Sequence, residues 1–381
     1  VKDLDIIATS DDPAALIAAF GELDMVAGAD LGDAGARGLT HTGVKVDLRI
    51  VAPDQFGNLL QHFTGSKEHN MALREYAVRR GLHVSEYGVL SDDTGETHRC
   101  ATEAEVYELL GLAYIEPELR ENRGELQAAQ DGGAGLPDLI VESDIRGDLH
   151  SHTIASDGRN TIDEMAAAAR ERGYEYLAIT DHSASHGFGN HVTPDHLKRH
   201  VEAIRAANER HEGIRLLAGT EVNILTDGSL DYADEILAEL DWVIASVHTS
   251  FRISEREMTN RIVAAIEHPL VRAIGHPTGR MIGRRPPYAV DMEAVIDAAA
   301  RTNTMLEINA NPNRRDLNDI HARAAAEAGV EIVIDSDAHG IERLAQMRYG
   351  VATARRAWLT AGNVANTRPW PELAKRLGLD P

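Results

Sequence analysis

From residue 145 onward the chain alternates between two rhythms. Short apolar, β-branched runs fall at 145–150, 176–180, 215–219, 242–247, 271–275, 305–308 and 331–334. Between them, at 162–171, 195–208, 232–240, 255–266, 291–301 and 320–328, apolar residues recur every three to four positions. The first rhythm predicts strands and the second predicts helices. Seven or so βα units joined by short links predict an α/β fold with a parallel barrel.

The earlier part of the chain is patterned differently. Residues 2–8 and 43–51 read as strands, with a helix over 13–21 between them. Residues 55–124 read as a smaller, mostly helical segment. Phe63-Thr64-Gly65-Ser66 makes a turn ahead of a helix carrying Asn70, Leu73, Arg74 and Ala77. Gly65 lets the backbone approach a ligand closely, beside a helix N-terminus that favours phosphate. Thr102-Glu103-Ala104-Glu105 outlines a capping box before Val106, Leu109 and Leu110. The glycine-rich stretch around Gly132, Gly133 and Gly135 breaks the pattern and predicts a linker over 125–144. The expected domains are thus 1–54, 55–124 and 145–381, with that linker between the second and third.

Composition narrows the classes. The 381 residues are 43% hydrophobic and 26% charged, enough for two or three ordinary domains. Cys100 is the single cysteine, so a cysteine-rich metal site is excluded and a cytoplasmic setting fits. No apolar run reaches membrane-spanning length, so no membrane partner is expected. A net charge of −23 speaks against a free-standing nucleic-acid binder. Carboxylates gathered around cations would soften that objection.

The chemistry gathers where the predicted strands end. His150 and His152 sit at i and i+2 on a strand, so their imidazoles share a face. Asp157, His182, Glu221, His248, His276, Asp337 and His339 follow, nearly all just after an apolar run. Functional residues of parallel barrels occupy the C-terminal ends of strands, whereas histidines satisfied within a core would not gather there. Nine nitrogen and oxygen donors exceed the demand of one ion, so two or three ions are expected, of Zn²⁺, Mn²⁺ or Fe²⁺ type. Such clusters suit hydrolysis of phosphate esters. Glu221 can bridge two ions, and Asp181 serves either to orient an imidazole or to cap a helix. Asn309, Arg280, Arg284, Arg285, Arg314 and Arg315 lie near the same rim, and guanidinium groups match phosphate. A second carboxylate set stands at Asp3, Asp5 and Asp47 on adjacent predicted strands. It either holds two Mg²⁺ or Mn²⁺ ions for phosphoryl transfer or lies on a solvated edge.

Read together, the blocks Asp148-Leu149-His150-Ser151-His152, Ser156-Asp157-Gly158, Thr180-Asp181-His182, Gly219-Thr220-Glu221, Val247-His248, Gly275-His276-Pro277 and Ser336-Asp337-Ala338-His339 resemble the PHP (polymerase and histidinol phosphatase) family. The resemblance covers about 145–360 and implies a distorted (β/α)7 barrel with a trinuclear centre. It assigns His150, His152, Glu221 and Asp337 to one ion, Glu221, His248 and His276 to a second, and Asp157, His182 and His339 to a third. Asp157 or Gly158 stands where some members carry histidine.

The N-terminal part resembles the palm and thumb of family X DNA polymerases. Asp3 and Asp5 match the first catalytic pair and Asp47 the third aspartate. Phe63 and Gly65 match a nucleotide-sugar contact, and Asn70 and Arg74 match positions near the nascent base pair. His62 stands where several members have tyrosine. The Gly-Ser turn and the DNA-binding domain that precede the palm in that family are absent, so a fragment is expected. The resemblance implies a DNA repair enzyme that hydrolyses DNA 3′ ends with its PHP domain, Glu221 and His248 being catalytic there. In the full-length protein it also implies polymerisation of dNTPs on gapped DNA. A small-molecule phosphatase of histidinol-phosphate type and a non-catalytic DNA-binding scaffold are the alternatives.

Overall fold

The computed structural model describes residues 2–185, 187, 190 and 192–380. The chain forms two compact units, Val1–Leu136 and Pro137–Pro381.

The first unit opens with a four-stranded sheet of β1 (Asp3–Thr9), β2 (Val26–Leu31), β3 (Gly35–Thr40) and β4 (Lys45–Val51), in the order β1-β4-β3-β2. Strand alternation explains its two faces. Val46, Leu48 and Ile50 of β4 pack with Ile17 and Phe20 of α1 (Pro13–Gly21). Lys45, Asp47 and Arg49 therefore look the other way. Asp12 caps α1 by accepting the Ala15 N–H at 3.0 Å. Helices α2 (Phe56–Thr64), α3 (Lys67–Val78) and α4 (Glu103–Leu109) follow, with a small antiparallel sheet of β5 (Leu82–Ser85), β6 (Gly88–Ser91) and β7 (Thr97–His98). The sequence pattern had not resolved β2, β3 or this small sheet. These strands are short or glycine-containing, and pairing with neighbours rather than propensity makes them strands.

The stretch expected as a linker is packed. Helix α5 (Glu125–Ala128) lies within the first unit, and its Glu125 is fully buried. Leu139 and Ile140 are buried in the second unit. The glycines that suggested flexibility serve close approach instead. A Cβ on Gly135 would meet the Ala128 Cα at 2.9 Å, and one on Gly133 would meet the Ala113 Cβ at 2.6 Å.

The second unit is an α/β barrel. Strands β8 (Gly147–Asp148), β9 (Tyr176–Ile179), β10 (Arg215–Asn223), β11 (Trp242–Ser246), β12 (Ala273–Ile274), β13 (Met305–Asn309) and β14 (Ile332–Asp335) form one parallel seven-stranded sheet in sequential order. A parallel bridge between Ser151 and Ala338, past the ends of β8 and β14, nearly closes the ring. Helices α6 (Ile162–Glu171), α7 (Pro194–Arg210), α8 (Asp234–Leu237), α9 (Glu255–Ile266), α10 (Met292–Thr302), α11 (Asp319–Glu327) and α12 (Met347–Arg356) accompany it. Serine and threonine caps begin several of them. Thr161 and Ser254 form capping boxes with Glu164 and Glu257.

Alternation along the strands divides the core in two. Leu177, Ile179, Leu216, Ala218, Leu306 and Ile308 pack outward with the helices. Tyr176, Ala178, Leu217, Trp242, Ile244, Ala273, Met305 and Val333 fill the barrel. Helix α13 (Trp370–Leu377), unforeseen in the pattern, adds Leu373 and Leu377 to that inner core. It lies against residues that begin strands, such as Tyr176, Trp242 and Met305, and so plugs the N-terminal end. The C-terminal end is left for chemistry.

Candidate metal centre

The same alternation that fills the barrel also aims its polar groups. Leu217 points inward, so Glu221, four residues on, points inward as well. Trp242 and Ile244 lead in the same way to His248, Met305 to Glu307, and Val333 to Asp335 and Asp337. Two of these positions need unusual backbone. His276 has φ +30° and Asp337 has φ +52°. Non-glycine residues adopt such values at a cost of about 1–3 kcal/mol and concentrate at functional sites.

All nine side chains expected as donors converge at this end. Glu221 is the hub. Its Oε1 lies 2.9 Å from His276 Nε2 and 3.1 Å from His248 Nε2. Its Oε2 lies 2.8 Å from His182 Nδ1, 3.4 Å from His150 Nε2 and 3.6 Å from His152 Nε2. Asp337 Oδ1 is 3.2 Å from His152 Nε2 and 3.7 Å from His150 Nε2. Asp157 faces His339 at 3.1 Å and His182 at 3.6 Å.

Donor atoms close enough to share an ion form three overlapping groups: His150, His152 and Glu221; His182, Glu221 and His248; and His152, Asp157, His182 and His339. His152, His182 and Glu221 each belong to two groups. The fit to cations is chemical as well as geometric. His150 Nε2, both ring nitrogens of His152 and His276 Nδ1 are buried without a hydrogen bond. Buried polar atoms are rarely left so unless a ligand takes them up. Imidazole and carboxylate donors without thiolate suit Zn²⁺, Mn²⁺ or Fe²⁺.

Electrostatics separates the imidazoles. Burial and the neighbouring imidazoles of His339 and His182 lower His152 to about 4. Burial and the Arg314 guanidinium lower His276 to about 3. Burial also opposes charge on His150, but Glu221, Glu307 and Asp337 outweigh it and hold His150 well above its ordinary value. His339 is buried too, yet Asp157 and Asp337 raise it to about 9. Burial would raise Glu221, but His248, His182 and His150 hold it well below the usual carboxylate range.

Further residues support the donors, and among them the sequence reading missed Glu307 and His200. Glu307 is fully buried, accepts from His150 Nδ1 at 2.6 Å, and also accepts the His276 N–H. It fixes which nitrogen of His150 faces the donor cluster. Its signal was a lone carboxylate inside the apolar run of β13. Asp181 takes the orienting role expected of it, with His200, which is not a donor, as the imidazole it holds. Its carboxylate accepts from Thr153 and Ser156 and from His200 Nε2 at 2.8 Å, so it pins the loop between His152 and Asp157. His200 carried no signal, because it sits on a helix face far away in sequence. Asn309 donates to Asp337 at 3.1 Å, and Arg314 Nε lies 3.5 Å from the same carboxylate.

The first unit presents its expected residues differently. Asp5 pairs in register with Asp47 across β1 and β4, while Asp3 pairs with Lys45. Asp3 and Asp5 are exposed, and Asp47 is held by Arg37 at 3.4 Å and Arg49 at 3.3 Å. Among the described residues, Asp3, Asp5 and Asp47 do not form a donor cluster like those of the barrel. Gly65, at φ +71°, ends α2, and Ser66 caps α3 by accepting the His69 N–H. Asn70 donates to the His62 carbonyl at 2.7 Å, and Arg74 approaches His62 Nδ1 at 3.1 Å. The ring of Phe63 lies 5.3 Å from that of His62. His62, Phe63, Asn70 and Arg74 thus share one patch.

Comparison with known proteins agrees with this layout. Residues 59–121 match the family description "DNA polymerase beta thumb", and residues 148–311 match "PHP domain". A probable phosphatase of Thermoanaerobacter sp. (strain X514) is 32% identical over 233 residues, 58% of this chain and 89% of that relative. The "DNA polymerase/3'-5' exonuclease PolX" of Bacillus subtilis (strain 168) is 43% identical over 376 residues, 97% of this chain. The chain belongs to the PHP family. Within it, this chain is of the kind that joins a PHP domain to the thumb of a family X polymerase. It spans 64% of the length of the Bacillus subtilis relative. A probable phosphatase of Caldanaerobacter subterraneus is 36% identical over 205 residues, half of this chain and 75% of that relative.

Proposed function

We propose that the barrel is a metal-dependent phosphodiesterase that removes nucleotides from DNA 3′ ends, within a family X repair polymerase. The observation that carries this reading is the set of three donor clusters sharing Glu221, His152 and His182, in a chain that also has a polymerase thumb. Divalent ions of Mn²⁺, Zn²⁺ or Fe²⁺ type, when bound, supply Lewis-acid neutralisation of the phosphate and a water acidic enough to react near neutral pH.

The chain's own residues do the rest. Glu221 holds adjacent clusters at a fixed spacing through its two oxygens, and His248 approaches one of them. Glu307 keeps His150 turned toward the centre. Arg314 is the group best placed to hold a phosphate oxygen. Its guanidinium lies at the edge of the centre beside Asp337, on a turn braced by Arg280 Nε donating to the Arg314 carbonyl at 2.7 Å. That bracing keeps the guanidinium aimed without reorganisation during the reaction.

For the whole protein we propose polymerisation as well, with Asp3, Asp5 and Asp47 holding Mg²⁺ or Mn²⁺ and with dNTPs and gapped DNA as partners, in the cytoplasm. Among the described residues no helix is long and apolar enough to cross a membrane. A phosphatase reading is favoured by the barrel's coverage of the Thermoanaerobacter relative. The thumb, which a small-molecule phosphatase has no use for, weighs against it. Turnover distinguishes them. Mn²⁺-dependent release of nucleotides from a labelled DNA 3′ end should exceed hydrolysis of histidinol phosphate by orders of magnitude in kcat/KM. The reverse order would overturn the DNA reading. Salt-dependent DNA binding with no cleavage would favour the scaffold reading.

A further inference from the structure

The three groups of metal donors do not share their supports. Glu307 accepts from His150 Nδ1 at 2.6 Å and from the His276 N–H, so it serves residues gathered around Glu221. The group of His152, Asp157, His182 and His339 rests on something else. Its Asp157 is carried by the loop 153–160 rather than by the end of a strand.

That loop is a folded unit. The Gly158 N–H donates to the Thr153 carbonyl at 2.9 Å, and the Ile154 N–H to the Asn160 carbonyl at 3.0 Å. A Cβ on Gly158 would meet the His152 carbonyl oxygen at 2.5 Å, so the turn closes only around glycine. Fixing Thr153 and Ser156 therefore fixes Asp157. Both are held by one buried carboxylate. Asp181 Oδ1 accepts the Thr153 N–H at 2.8 Å, the Ser156 N–H at 3.2 Å and the Ser156 hydroxyl at 2.6 Å. Its Oδ2 accepts the Thr153 hydroxyl at 2.7 Å and His200 Nε2 at 2.8 Å.

His200 brings its hydrogen bond from outside the loop, on α7. Between the loop and that helix lies a cavity of about 430 Å³, lined in part by Thr153, Ile154, Ala155, His196 and His200. Packing across that space cannot replace the bond. The loop's other outward bonds involve the exposed residues Arg159, Asn190 and Ile341, where water competes. Without His200, the buried Asp181 carboxylate loses the imidazole that faces it, and the arrangement of the loop around it is no longer favoured.

We infer that His200 is a positioning residue for one ion only, the one nearest Asp157. It acts through Asp181 and the loop and touches no metal donor itself. The residues held by Glu307 keep their own support, so this ion is governed separately from the others. The inference rests on the metal-centre reading above and adds to it a support specific to one ion.

The test uses the whole chain equilibrated with Mn²⁺. His200→Leu removes the hydrogen bond, and His200→Gln keeps an N–H near the place of Nε2. Metal content is read by mass spectrometry, and affinity by Mn²⁺ titration followed with electron paramagnetic resonance. The unmodified chain and His200→Gln should hold one ion for each of the three donor groups. His200→Leu should hold one fewer, with that ion weakened about 10–100-fold and restored by excess Mn²⁺. Combined with Asp157→Ala, His200→Leu should remove nothing further. Combined with Glu307→Gln, the two losses should add. Should His200→Leu fail to fold, Thr153→Val/Ser156→Ala frees the loop from Asp181 while His200 stays, and should lose the same single ion. Full occupancy at unchanged affinity in His200→Leu, a loss of every ion that Gln does not rescue, or a further loss beyond Asp157→Ala would overturn the inference. An unmodified chain that itself lacks the third ion would instead defeat the metal-centre reading, and this inference with it.

Discussion

The two sets of carboxylates in this chain are built on opposite principles. In the palm-like sheet, Asp5 and Asp47 stand side by side across paired strands, Asp5 exposed and Asp47 half-buried between Arg37 and Arg49. In the barrel, Glu221 and Asp337 are buried and ringed by imidazoles. An exposed carboxylate costs little to keep, with or without an ion beside it. A buried carboxylate among other carboxylates is tolerable only with cations or protons beside it. The barrel is therefore shaped around its ions in a way that the open sheet is not. The difference teaches that donor clustering can be read from burial, whereas Asp5 and Asp47 are related only by strand register.

The sharpest way to break that contrast is to remove one carboxylate from each set. Glu221→Ala should lose more than one ion per chain and reduce Mn²⁺-dependent 3′-nucleotide release by more than about a hundredfold, since even outer supports are worth about 10–100-fold. Asp47→Ala should leave that release unchanged. Metal content by mass spectrometry beside the cleavage assay decides it, and a matching loss in both variants would sink the contrast.

Glu307→Gln comes next. It keeps the shape of the side chain but weakens the acceptor on His150 Nδ1. Metal affinity should fall about 10–100-fold and activity should recover at high Mn²⁺. Titration of activity against Mn²⁺ reads this, and a loss that no excess of Mn²⁺ restores would argue for a direct role in the reaction.

Asp157→Ala should do less than Glu221→Ala. Asp157 touches only the cluster of His152, His182 and His339, and is partly exposed. One ion should be lost, with a rate reduction of about tenfold. Equal metal loss in the two variants would contradict the bridging position of Glu221.

Much of the barrel was legible because its two periodicities differ and its donors fall at strand ends. The seven strands and most helices follow from that alone. What was not legible came from packing. The glycines near 132–135 looked flexible, yet Gly133 and Gly135 sit against Ala113 and Ala128. Glu307 and His200 act through partners distant in sequence, as in the His200–Asp181 bond across 19 residues and the His150–Glu307 bond across 157. Helix α13 gave no sign that its Leu373 and Leu377 stop the barrel's lower end.

The smallest effect concerns the first unit, away from either set of carboxylates. Glu125 is buried, where it accepts from His69 at 2.7 Å and from the Asn122 and Arg123 N–H groups. Burial would raise its carboxyl, but those partners hold it below its ordinary value of 4.5. A depressed carboxyl stabilises the fold above the unfolded value and loses that contribution as pH falls through the folded one. Glu125→Gln should therefore destabilise the first unit by about 1–3 kcal/mol at neutral pH and by less below pH 4.5. Denaturant unfolding at both pH values checks it. A destabilisation of the same size at both would show that charge is not what Glu125 contributes.

The most direct measurement is anomalous diffraction from crystals grown with Mn²⁺. It should show ions at the C-terminal end of the barrel, with one on each oxygen of Glu221 and one among His152, Asp157, His182 and His339. A single ion there, or none within bonding distance of Glu221, would contradict the account.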